Sequence, residues 1–81
     1  MKKNESKKIT LQAIEELEGP VEVGVLSSWL RCEYGVDVTD RSVSMECLRL
    51  HRQGLLHRRH GKYFISEKGS QRLQYLRSLP Q

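Results

Sequence analysis

The side chains with the most chemical capacity in this 81-residue chain are its guanidinium and ammonium groups, and they are unevenly placed. Arg41, Arg49 and Arg52 lie within one stretch, and Arg58, Arg59, His60 and Lys62 crowd the next. These groups are suited to donating hydrogen bonds to anions, and the arginine fork matches two oxygens of a phosphate or carboxylate at once. The formal net charge is +4, which by itself says little about partners. Its distribution says more. From Ile9 to Val38 one basic residue faces six acids, net −5, whereas from Thr39 to the end nine basic residues face three acids, net +6.

Other chemistries find weaker support. His51, His57 and His60 together with Cys32 and Cys47 are potential metal ligands, but they lack the paired spacings of a zinc site, and a turn between His57 and His60 points those rings apart. No metal or other cofactor is expected. Glu15, Glu16, Asp37 and Asp40 fall at exposed or capping positions, no nucleophile stands beside a base, and no glycine loop is arranged to cradle phosphates. The expectation is therefore that the protein is not an enzyme, and no small-molecule ligand is evident. Cys32 and Cys47 each sit in a helical apolar pattern, which reads as two reduced, buried thiols.

The apolar fraction is 37% and the charged fraction 30%, as in an ordinary single domain, with no apolar run long enough to span a bilayer, and the basic start, not followed by an apolar stretch, is not expected to act as a secretory leader. A cytoplasmic protein is expected. Residues 1–5, rich in lysine, read as a disordered basic tail, and 6–79 as one domain.

Within the domain, Ile9, Ala13, Ile14 and Leu17 predict a first helix with Ser6 as its N-cap and Gly19-Pro20 as its stop. Val21-Glu22-Val23 predicts a short strand. Gly24 then opens a second helix whose stripe is Leu26, Trp29, Leu30 and Glu33, with Gly35 after its end. Thr39 is placed to cap a third helix, about 40–53, that buries Val43, Cys47 and Leu50, leaves Leu48 at the margin and stops at Gly54. Two apolar-rich runs flank His60-Gly61, a two-residue hairpin signal that would set Leu56 opposite Ile65 and Arg58 opposite Tyr63. Ser66 caps a last helix that returns Leu73 and Leu76 to the core. The fold class is thus mainly α with a small β-hairpin, α+β, in the order helix, short strand, helix, helix, two hairpin strands, helix.

That order, with three pieces of sequence, resembles the winged helix-turn-helix family of small bacterial and archaeal transcriptional regulators. The pieces are Thr39-Asp40-Arg41-Ser42-Val43-Ser44-Met45-Glu46-Cys47-Leu48-Arg49-Leu50, then Gln53-Gly54-Leu55-Leu56, then Tyr63-Phe64-Ile65-Ser66-Glu67-Lys68-Gly69. The resemblance runs from about Ile9 to Leu79; Cys47 departs from it, standing where a larger aliphatic residue is usual. It implies sequence-specific binding of double-stranded DNA, with the helix at about 40–53 in the major groove and a basic wing, about 57–63, on the backbone or in the minor groove. Physically, a helix fits the major groove with its N-terminal residues deepest. Arg41, Ser42, Ser44 and Met45 are then the candidates for base edges, Arg49 and Arg52 for phosphate, and Arg58, Arg59, His60 and Lys62 for the wing contact. Trp29 reads as core.

The main competing reading is a winged helix that docks on another protein of the transcription or replication machinery, although its recognition helix would more often be acidic or apolar. A-form RNA, with its narrow major groove, would not admit the third helix. Tyr75 and Leu79 on the last helix offer a surface for a homodimer, which a two-fold DNA site would need.

Overall fold

The computed structural model describes residues 3–80, which form four helices and one two-stranded antiparallel hairpin. In chain order these are α1 (Lys3–Glu16), α2 (Val23–Glu33), α3 (Asp40–Arg52), β1 (Leu56–Arg59), β2 (Lys62–Ile65) and α4 (Glu67–Ser78). The mainly helical, α+β character expected from the pattern is present.

Three boundaries differ from expectation. First, α1 begins at Lys3, so Ser6 lies inside the helix rather than capping it, and residues 3–5 of the expected tail are helical. Lys and Glu are good helix formers, no Gly or Pro interrupts them, and Glu5 in the first turn suits the positive end of the dipole. Met1 and Lys2, the rest of that tail, lie outside the described residues. Second, the expected strand at 21–23 is a single bridge, Val21 to Tyr63, because Val23 already belongs to α2. Both of its backbone bonds form: Val21 N–H donates to Tyr63 O at 2.8 Å and Tyr63 N–H to Val21 O at 2.9 Å. Third, Cys32 is exposed, against the expectation of two buried thiols. The buried stripe of α2 is Leu26, Ser27 and Leu30, and a residue two positions past Leu30 points about 200° away from it. Cys47 is buried as expected; loss of hydration and the nearby Glu46 carboxylate push its thiol up to about 12, so it behaves as a small apolar group.

The remaining signals act as their chemistry requires. Thr39 and Ser42 form a reciprocal capping box at the start of α3, each hydroxyl accepting the other's backbone N–H at 3.0 to 3.1 Å. His60 (φ +52°) and Gly61 (φ +76°) both take the left-handed conformation that closes a two-residue hairpin, and the register is Leu56 with Ile65 and Arg58 with Tyr63. The core gathers Leu11, Ile14, Leu26, Leu30, Val43, Leu50, Leu55, Leu56, Tyr63 and Leu73 from all four helices and the hairpin. Trp29 is half-buried at the edge of this core instead of within it. Its indole donates to Glu16 Oε1 at 3.2 Å, and Tyr34 donates to the same oxygen at 2.6 Å. Beside them Arg77 reaches Glu15 at 3.2 Å, so a polar knot joins α1, α2 and α4.

Gly69 lies where α4 crosses the chain leaving α3. A Cβ there would penetrate the Leu55 carbonyl and come within 2.9 Å of Ile65 Cγ1, with backbone as the obstacle. Gly69→Ala is expected to destabilise the fold by about 1–3 kcal/mol, read as a lower urea midpoint with the slope unchanged; an unchanged midpoint would contradict this packing. The polar knot yields a second expectation. The Tyr34 hydroxyl chiefly, opposed by a little burial and helped by Trp29, holds the Glu16 carboxyl below its ordinary value. A group lowered in the folded state contributes stability above its unfolded pKa and loses it as pH falls through the folded one. Thermal midpoints should therefore drop on acidification below the ordinary carboxylate range, less steeply in Tyr34→Phe than in the native chain.

Candidate nucleic-acid interface

Helix α3 presents its residues in a fixed sequence of directions because successive side chains are 100° apart. Val43, Glu46, Cys47 and Leu50 define the buried side. Opposite them project Arg41, Met45 and Arg52, all exposed, with Met45 at 57% among the most exposed apolar side chains described. The two flanks are set by neighbouring elements. On one, Ser42, Glu46 and Arg49 line a cavity of about 460 Å³ that α1 closes with Ile9 and Thr10. On the other, the His51 ring packs edge-on to Tyr63 of β2 at 6.4 Å between centroids, and His51 Nδ1 lies 3.0 Å from Leu56 O, which ties the hairpin to that flank.

Tyr63 also carries the hairpin's charge toward α3. Its buried ring underlies the Arg58 guanidinium, 5.6 Å from the centroid, a cation–π contact that orients an otherwise flexible side chain. One ring thus touches both α3 and the hairpin. Arg59 and His60 are exposed at the tip, while Lys62 stands 4.0 Å from Glu22, a separation at which a surface pair contributes little. On the outer face of the hairpin, His57 and Phe64 pair at 5.2 Å.

The sequence-derived candidates fall into distinct structural situations. Arg41 and Met45 are exposed on the outward face, and Arg52 is exposed at its C-terminal end. Ser42 is different: besides its place in the capping box, its hydroxyl donates to Thr39 O at 2.9 Å, so its bonding is taken up in starting the helix. Ser44 is half-buried toward the hairpin flank. Arg49 bonds Glu46 at 3.0 Å, and the Glu46 side chain is only 11% exposed, which makes Arg49 the counter-ion of a nearly buried carboxylate.

Acid is accordingly muted on this surface. Glu46 is held by Arg49, and Asp40 stands 3.7 Å from Arg31, which also bonds Val38 O at 3.0 Å and so fastens the α2–α3 turn. Such a surface has exposed cations on a helix, further cations on an adjoining hairpin, and the carboxylate on the helix flank, Glu46, held by Arg49, while Asp37 beside that flank has no ion pair among the described residues. It is suited to an extended anion that also offers hydrogen-bond acceptors. Among the described residues no group of three or more His, Cys, Asp or Glu is arranged to hold a metal, and no helix is long and apolar enough to cross a membrane.

The linear pattern singles out neither Glu46 nor a second basic group, formed by Lys7, Lys68 and Arg72 with Arg52 at the C-terminal end of α3. Residues so far apart in sequence give no local periodicity that joins them. The only available signal is the i, i+4 spacing of Lys68 and Arg72 at the start of α4, which puts both on one side of that helix.

Removing Arg49 leaves the Glu46 carboxylate nearly buried without its partner. Arg49→Ala should cost about 1–2 kcal/mol of stability, and adding Glu46→Gln should restore most of it; equal stability of Arg49→Ala and the native chain in urea unfolding would refute the pairing. No family model matches the chain, and no significant match was found among curated proteins or solved structures.

Proposed function

We propose that this protein is a sequence-specific double-stranded DNA-binding domain of winged helix-turn-helix type, acting as a cytoplasmic transcriptional regulator. In this reading α3 is the recognition helix, the β1–β2 hairpin is the wing, and the Val21–Tyr63 bridge is what remains of the third strand. The observation that carries the reading is the outward face of α3: Arg41, Met45 and Arg52 stand clear of the core while Glu46, the acid on the flank of that helix, is held by Arg49.

The roles follow from chemistry and position. Arg41, one residue into α3, is where a recognition helix lies deepest in the groove, and its fork can bond guanine O6 and N7 together. Met45, one turn on, suits the methyl group of thymine. Arg52 and the wing residues Arg58 and Arg59 would face phosphate, adding affinity that carries no sequence information. Ser42 and Arg49, occupied within the fold, support the interface rather than read it. The Cα envelope measures 33 × 26 × 20 Å, close to one turn of B-DNA (about 34 Å) at its longest, so one copy would cover a half-site. A two-fold target would bring two copies together, and Tyr75, 57% exposed on α4, is available for their contact.

Because Arg49 has a structural task, the informative variant is Arg41→Ala/Arg58→Ala. Fluorescence anisotropy on a mixed pool of duplexes should show binding that weakens steeply with salt, at least tenfold weaker in that variant with its helical circular dichroism unchanged. Binding equal to the native chain's, or no duplex binding at low salt, would reject DNA as the partner and favour a protein one.

A further inference from the structure

A second basic site lies at the C-terminal end of α3 and shares Arg52 with that helix's outward face. A cavity of about 420 Å³ is lined by Lys7 of α1, Arg52 at the end of α3, Gln53 and Leu55 of the following turn, and Lys68 and Arg72 of α4. Four cations from three helices line it, and among the described residues no carboxylate does. Like charges lining one cavity repel, and an anion held between the exposed Arg52 and Arg72 relieves that repulsion.

Two features make the cluster more than a solvated patch. Lys7 is 9% exposed and the Lys68 ammonium donates to Gln53 O at 2.9 Å, so two of the four charges are positioned by the fold. At the C-terminal end of α3, several of the carbonyls that would ordinarily repel an anion already accept hydrogen bonds. Leu50 O accepts from Leu55 N–H at 2.9 Å, His51 O from Gly54 N–H at 3.0 Å, Gln53 O from Lys68, and Gly54 O from the Ser66 hydroxyl at 2.6 Å. Arg52 and Arg72 remain exposed at the mouth, and no ion pair to either is present among the described residues. Their guanidinium forks match the paired oxygens of a phosphoryl group.

We propose that Lys7, Arg52, Lys68 and Arg72 form a binding site for a phosphate group at the junction of α1, α3 and α4. The phosphate has two chemical sources: the backbone of a nucleic acid or a free phosphorylated ligand. Only the first rests on the DNA reading, in which the site would extend the footprint along the backbone past the C-terminal end of α3.

The test separates these sources. The isotopically labelled full chain is titrated with inorganic pyrophosphate at constant ionic strength while amide resonances are followed. Saturable shifts are expected at Gln53 to Leu55 and Lys68 to Arg72, abolished in Lys68→Gln/Arg72→Gln and reduced in Arg72→Gln alone, whose side chain is exposed and has no ion pair among the described residues; they should persist in Arg41→Ala. Absence of saturable shifts at these amides, or their persistence in both glutamine variants, overturns the proposal. In a second arm the salt dependence of duplex binding is compared. A slope shallower by about 1 to 2 in the double glutamine variant assigns the phosphate to the DNA backbone. Pyrophosphate binding with an unchanged slope supports the site and assigns it to a free ligand, and pyrophosphate binding by a chain that binds no duplex supports it while the DNA reading fails.

Discussion

The hydrogen-bonded junction between the end of α3 and the start of α4 is the constraint on which the rest of the structure depends. The Ser66 hydroxyl accepts from Gly69 N–H at 2.9 Å and donates to Gly54 O at 2.6 Å, while Ser66 N–H donates to Leu55 O at 3.1 Å. One residue therefore caps α4, closes the turn after α3 and completes the base of the hairpin. The left-handed Gly54, φ +79°, and the lack of a side chain at Gly69 let the two backbones approach. With this junction fixed, the hairpin must emerge beside α3, and Tyr63 fills the space between them.

From that junction outward, each face of α3 acquires its own task. The buried face joins the core, one flank carries the Glu46–Arg49 pair and shares a cavity with Ile9 and Thr10 of α1, and the other meets the hairpin through His51 and Tyr63. What is left is a strip containing Arg41, Met45 and Arg52. A carboxylate on a helix otherwise read as basic looks unfavourable in one dimension. In three it holds Arg49 in place and removes its own negative charge from the exposed surface.

Much of this architecture was legible in the sequence because its determinants are local. Thr39, Gly54, His60-Gly61 and Ser66 each specify a backbone conformation within a few residues, and the apolar periodicity of Val43, Cys47 and Leu50 specifies one helix face. The boundaries that shifted lacked such markers. Nothing between Lys3 and Ser6 stops a helix, and Val21-Glu22-Val23 has β-branched residues but adjoins a helix that takes up Val23. Cys32 was misplaced because apolar spacing alone does not distinguish the two sides of a helix whose buried stripe includes Ser27. For the candidate interface, residue types and their approximate direction were readable, but their engagements were not. The occupation of Ser42 by its cap, of Arg49 by Glu46 and of Arg58 by Tyr63 arises from rotamers and tertiary neighbours.

The outward strip of α3 takes no part in the contacts that hold the helix in place. Arg41, Met45 and Arg52 are exposed, whereas Ser42 and Arg49 beside them help to hold the helix in place. Substitutions at exposed positions without special contacts generally change stability by less than about 0.5 kcal/mol. The strip is consequently a part of the molecule that substitution can change with little cost to the fold. Side chains on the strip can therefore be exchanged one at a time through folded intermediates, whereas replacing Ser42 or Arg49 loosens the hold on the helix itself.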